Sequence, residues 1–217
     1  MEIQRYDYLG NSSIGFYATI TNNQAIYPPE FKEEKKEMFD VKSCETFINR
    51  TRLVGLFTAG NSNCILIPPG ATDREKNKLE EAGINFQVIE TIDNALGNLI
   101  LANDKGAVIS EKIEDKKEEV AEALDVPVTV ASIAGVKNPG VCGEANSNGV
   151  LLHREADEDD AEKLKEALDV ADVDIGTVDM GSPYIGSGLI ATDKAVLTGE
   201  NTTGPEVGRI DRTLMQE

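Results

Sequence analysis

The segment Glu122-Ala123-Leu124-Asp125-Val126 recurs letter for letter at Glu166-Ala167-Leu168-Asp169-Val170, 44 residues later. A period of this length marks an array of small units, none of which can bury its apolar face alone. The period runs through the whole chain. Gly15, Gly55, Gly97, Gly140 and Gly186, at intervals of 40, 42, 43 and 46 residues, each open the same pattern of apolar stretch, polar turn and second apolar stretch. Six places after each glycine stand Thr21, Asn61, Asn103, Asn146 and Thr192. Asn22, Ser62, Asp104, Ser147 and Asp193 follow, then Asn23, Asn63, Lys105, Asn148 and Lys194. Asn, Asp and Gly tolerate positive φ and close tight hairpins, so each unit is expected to open with a β-hairpin.

A helix should follow each hairpin. Val120, Ala121 and Leu124 fall on one helical face, as do Ala161, Leu164 and Leu168. Acids such as Asp73, Glu75 and Asp157 to Asp160 crowd the expected helix starts, where they complement the helix dipole. Short strands at Thr46-Phe47-Ile48, Phe86 to Ile89, Val128 to Val130 and Val173 to Ile175 close most units. The last unit has no room for one after Pro205. The strand Glu2 to Tyr8 is expected to complete it and to close a ring, which would remove exposed sheet edges. The resulting single domain is α/β, with five hairpin–helix–strand repeats at about 8–48, 49–92, 93–135, 136–180 and 181–217, and residues 1–7 closing the ring.

Charge narrows the partners. The chain carries 39 acidic and 21 basic residues, a net charge of -18. Such a surface repels free nucleic acid and anionic membranes, because phosphate binding needs clustered Lys and Arg. Lys32, Lys35 and Lys36 are interleaved with Glu33, Glu34 and Glu37, and no dense basic patch is evident. The acidity fits either a body that docks on protein or a salt-rich host cytoplasm. Cys44, Cys64 and Cys142 form no spaced pair, and His153 is the only histidine, so no zinc site is expected. The sparse cysteines, a start without an apolar signal segment and the lack of a long apolar run point to a cytoplasmic chain. Ring closure implies a monomer.

Five units of about 43 residues suggest the pentein, or α/β-propeller, architecture. Particular motifs carry a closer resemblance: Ile14-Gly15, the run from Asn94-Ala95-Leu96-Gly97-Asn98 to Lys105-Gly106-Ala107, and Asn201-Thr202-Thr203-Gly204-Pro205-Glu206. Pro68 with Thr72-Asp73, Gly176-Thr177-Val178 and Gly181-Ser182 add to it. Together, in order and over the whole chain, they resemble the translation initiation factor 6 family, especially its archaeal form. The resemblance implies a protein without catalytic activity or cofactor. It would bind ribosomal proteins on the intersubunit face of the large ribosomal subunit and sterically block the small subunit. Eukaryotic members also serve in large-subunit biogenesis and carry an extended C-terminal tail. No regulation through such a tail is expected here, where the sequence ends at Glu217.

The ribosome-binding candidates follow from the repeat and the resemblance. Phe16, Leu56, Asn98, Val141 and Ser187 come just after the repeat glycines and should share one face at the ends of the first strands. The family meets the ribosome with that face. Gly15, Gly97 and Tyr184 belong to the same set. Leu56 stands where eukaryotic members tend to carry a basic residue. The bland alternative is that Phe16, Leu56 and Val141 are core and that the glycines only permit close backbone approach. Other penteins are guanidine-modifying enzymes with a Cys nucleophile in the last repeat. Here that repeat has neither Cys nor His, and the one available pair, Cys142 with His153, lies across a hairpin in another.

Overall fold

The computed structural model describes residues 2–215; Met1 of the expected closing segment and Gln216 and Glu217 of the expected last unit lie outside them. Five separate three-stranded sheets, the blades, form the molecule. Each has a short inner strand, a central strand and an outer strand. Blade 1 comprises Thr19–Ile20, Gln24–Tyr27 and Lys42–Glu45, and blade 2 Ala59–Gly60, Ile65–Ile67 and Phe86–Val88. Blade 3 comprises Ile100–Ala102, Ala107–Ile109 and Val128–Val130, and blade 4 Gly143–Ala145, Gly149–His153 and Asp172–Gly176. Inner and central strands pair antiparallel across the polar turn; central and outer strands pair parallel. Parallel pairing needs a long crossover, and a helical segment supplies it: Glu33–Glu37, Asp73–Glu81, Lys117–Leu124 and Glu158–Leu168. Val120, Leu124, Leu164 and Leu168 are the fully buried stripe of the last two, as their spacing predicts.

Blade 5 contains the closure. Leu189–Ala191 and Ala195–Gly199 form its hairpin, and its outer strand is Glu2–Tyr6, parallel to Ala195–Gly199 from Glu2↔Ala195 to Tyr6↔Gly199. The segment after Pro205 belongs to the helix Gly204–Leu214. Four of the five tyrosines gather at the seam: Tyr6, Tyr8 and Tyr27 surround Phe31 and Tyr17 packs on Tyr8, with ring centroids 4.6–5.9 Å apart. The Tyr8 hydroxyl donates to the Pro29 carbonyl at 2.6 Å. Each aromatic contact adds about 0.5–1.5 kcal/mol beyond its buried area, so a chain poor in aromatics spends them where its two ends must meet.

Three expectations are corrected. The outer strand of blade 1 is Lys42–Glu45, ahead of Thr46-Phe47-Ile48; only Cys44 in it is buried, so it carries no apolar alternation to read. Thr46 still donates to the Tyr27 carbonyl at 2.9 Å before the chain turns at Ile48. Ring closure leaves the outer edges of the blades as edges. They are short and carry charges such as Glu2, Arg5, Lys42, Glu45, Asp172 and Asp174, which discourage pairing with another chain. Finally, each repeat glycine lies in a single helical turn ahead of the inner strand: Ile14–Phe16, Val54–Phe57, Leu96–Leu99, Pro139–Cys142 and Ile185–Gly188. A turn this short has no periodicity to betray it.

Candidate functional site

The five helical turns meet at the ring axis, and their glycines touch in sequence. A Cβ on Gly55 would lie 2.1 Å from the Gly15 carbonyl oxygen, one on Gly97 1.8 Å from that of Gly55, and one on Gly140 2.2 Å from that of Gly97. One on Gly186 would lie 2.0 Å from the Gly140 oxygen, and one on Gly15 2.0 Å from the Gly186 oxygen, so the contacts close on themselves. No side chain fits at these positions. Gly15 and Gly97 are thus structural members of the glycine end.

The residues that follow them differ in environment. Phe16 and Leu56 are half-buried and belong to no core cluster, whereas Val141 packs against the core of blades 3 and 4. The Asn98 side-chain amide makes no hydrogen bond among the described residues. Ser187 is buried, and its hydroxyl donates to the Tyr184 carbonyl at 2.7 Å. Tyr184 is exposed, with its ring edge on His153 at 5.7 Å.

Apolar exposure is concentrated at this end. Leu9, Phe47, Ile92, Ile175, Met180 and Tyr184 are the large hydrophobic side chains left exposed among the described residues. Every one lies at the end of an outer strand or in the connection from it to the next helical turn. Sequence reasoning found only Tyr184, because a single Leu or Met in a loop has no pattern. Four connections are tight turns with positive φ at two or three successive residues: Leu9-Gly10, Asn49-Arg50, Ala134-Gly135 and Asp179-Met180-Gly181. Three are tied down by the acid three places into a helix. Glu75 accepts from Arg50 N–H at 2.8 Å, Asp160 from Ala134 N–H at 2.7 Å and Glu206 from Gly181 N–H at 2.9 Å. The same acids complete capping boxes with Thr72, Asp157 and Thr203. One carboxylate thus stops a helix from fraying and fixes a surface turn.

The opposite end is polar. Asn22 Nδ2 donates to both Asp104 and Asp193 at 2.9 Å, while Ser62 and Ser147 N–H groups donate to the same two carboxylates at 2.7 and 2.8 Å. Just inside, the turn asparagines latch each blade to the next. Asn103 Oδ1 accepts from Lys105 and Gly106 N–H at 2.9 Å, and its Nδ2 donates to the Asn146 and Leu168 carbonyls at 3.0 and 2.9 Å. Asn61 and Asn146 repeat the arrangement. A basic groove that sequence reading missed lies elsewhere, where Arg154, Arg209 and Arg212 converge beside the helix Gly204–Leu214; Arg209 is paired with Asp174 at 2.8 Å.

The Cys142–His153 pair lacks the chemistry of a nucleophile. Burial pushes the Cys142 thiol up to about 11, so the thiolate is scarce at neutral pH. His153 is held below its usual range by burial, and its Nδ1 accepts from Glu155 N–H at 3.2 Å, so that lone pair is already engaged.

A family model described as "eIF-6 family" matches residues 3–213. Curated relatives named Translation initiation factor 6 align along nearly the whole chain. The one from Methanosarcina mazei is 37% identical over 98% of each chain, and that from Pyrococcus abyssi 35% identical over 99% of each. The relative from Haloquadratum walsbyi is 34% identical over 97% of this chain and 95% of its own. Among solved structures, DDAH from Pseudomonas aeruginosa complexed with citrulline aligns over 75% of this chain and 69% of its own, with a TM-score of 0.48 and 12% identity. With a family model matched along nearly its whole length and initiation factors 34–37% identical over nearly all of both chains, this chain belongs to the eIF-6 family.

Proposed function

We propose that this translation initiation factor binds the large ribosomal subunit through the glycine end of the ring and keeps the small subunit from joining. The observation that carries this reading is the gathering of exposed Leu9, Ile92, Met180 and Tyr184 on one end, against a polar opposite end. Apolar side chains left exposed on one end of a molecule are a usual mark of a protein-binding face. Gly15, Gly97 and the residues Phe16, Leu56, Asn98, Val141, Tyr184 and Ser187 form or support that face, with the unpartnered Asn98 amide and the Tyr184 ring as its specific contacts. The partner surface is ribosomal protein rather than bare RNA, because a chain of net charge -18 is repelled by phosphate.

Blocking is steric. A chain of this length has a radius of gyration of about 17 Å, a body thick enough to hold two surfaces apart. A stable patch needs roughly 800 Å² per partner. The protein acts as a cytoplasmic monomer without catalysis or cofactor. Co-sedimentation with purified large subunits, followed by addition of small subunits, tests this. Pelleting with large subunits and a lowered yield of joined ribosomes is the expected result, weakened by Asn98→Ala and Tyr184→Ala. If the protein stays in the supernatant at every salt concentration, the ring is a scaffold for some other protein.

A further inference from the structure

A cavity of about 110 Å³ lies on the ring axis between the glycine end and the polar turns. It has room for several waters, each needing about 10–15 Å³. Four places after the repeat glycines, the inner strands carry Thr19, Ala59, Leu101, Glu144 and Ile190, and all five line this space. Glu144 is therefore a lone carboxyl on the axis. Its Oε1 accepts from Ala191 N–H at 2.8 Å, while its other oxygen has no protein donor among the described residues.

Among the described residues no Lys, Arg or His lines the cavity, and Asp104, at the polar end, is the only other ionisable residue that does. Two strands across the sheet from Glu144, Asp174 is occupied by Arg209 at 2.8 Å. On the facing blade, Asp193 is held by Asn22 and Ser147 at the turns. No described residue thus supplies a positive charge to Glu144. Burial raises its carboxyl to about 8, opposed only by the Ala191 hydrogen bond. Glu144 is half-buried, and a carboxylate drawn from bulk water without a charged partner is costly, so a proton or a bound cation that neutralises it is favoured.

We propose that the axial cavity binds one monovalent cation, such as potassium or sodium, through the free Glu144 oxygen, cavity water and neutral oxygens of the lining. A single carboxylate balances a single charge. A divalent ion would need several charged oxygens, and no group of three acidic, His or Cys ligands gathers among the described residues. The cation and the Glu144 proton compete for one position. Without the cation, the raised carboxyl contributes stability that is complete below its unfolded value near 4.5 and is lost as pH rises through about 8. An occupying cation removes that loss.

The test is chemical denaturation in potassium chloride against tetramethylammonium chloride at equal ionic strength, which cancels general screening of the acidic surface. At about pH 9, potassium at ten times its dissociation constant should shift the unfolding equilibrium of the wild-type protein about elevenfold. The shift should shrink at about pH 6, where the proton wins, and vanish in Glu144→Gln. Equal midpoints in the two salts for the wild-type protein, or the same potassium effect in Glu144→Gln, would overturn the proposal. A second measurement does not depend on the variant folding. Wild-type crystals grown at alkaline pH in rubidium or thallium(I) salt should give an anomalous peak on the axis beside Glu144, and its absence would refute the site.

Discussion

Alanine at Gly97 would place a methyl group where the ring has no space. The added Cβ would lie 1.8 Å from the Gly55 carbonyl oxygen, 2.9 Å from its carbonyl carbon and 2.9 Å from the Thr58 carbonyl oxygen. Comfortable contacts between heavy atoms begin at roughly 3.5 Å, so two helical turns must part by more than about 1 Å. Both opposing groups are backbone and cannot rotate aside. The strain also travels, because the Gly97 carbonyl is itself packed against Gly140. Overpacking costs about 1–3 kcal/mol and occasionally more, and backbone against backbone belongs at the upper end, near 3 kcal/mol. For a chain of this size that lowers the melting temperature by about 6–12 °C. Gly208 is the matched control. It is an exposed helical glycine with nothing within 4 Å of an added Cβ, so Gly208→Ala should stabilise by about 0.5–1 kcal/mol. Thermal unfolding of both variants followed by circular dichroism at fixed salt gives the comparison. A Gly97→Ala protein melting within about 2 °C of wild type would refute the claim that glycine contacts close the ring.

Asn103→Ala removes four hydrogen bonds from a buried latch and should cost about 3 kcal/mol in urea denaturation; a loss below about 1 kcal/mol would mean water replaces the side chain at no cost. Glu206 sits below its usual range: burial raises it, but hydrogen bonds from Thr203, Thr177 and Gly181 outweigh that. Its contribution is present above its unfolded value near 4.5 and lost as pH falls through the lower folded value. Glu206→Gln should therefore flatten the acid limb of a stability-versus-pH curve, and an unchanged limb would contradict the assignment. Cys142 should be alkylated in the native protein about a hundredfold more slowly than an ordinary thiol near 9, in line with a value of about 11, as followed by mass spectrometry; a rate equal to that of free cysteine would show the burial to be wrong.

Much of the fold was readable because the chain repeats. The glycine spacing, the turn residues and the buried stripe Val120, Leu124, Leu164 and Leu168 follow from local pattern alone. The seam was inferred by elimination: a last unit without an outer strand needed the first segment of the chain. Capping boxes were also within reach, since Thr72 with Glu75, Asp157 with Asp160 and Thr203 with Glu206 have the right spacing. Harder to see were elements with no period. The helical turn at each glycine is one turn long, and Lys42–Glu45 buries only Cys44.

The candidate face divides in the same way. Its ring positions came from the repeat, but Leu9, Ile92 and Met180 became notable only once the connections lay side by side at one end. Local sequence determined the number of units, their strands and helices, and the need for glycine at five equivalent places, because these depend on periodicity and on the φ and space each residue tolerates. Only the tertiary structure decided that the five glycines touch, that Glu75, Asp160 and Glu206 each hold a distant turn, and that Glu144 faces a shared cavity. Those properties arise where blades far apart in the chain converge on one axis, and no single segment encodes the distance between them.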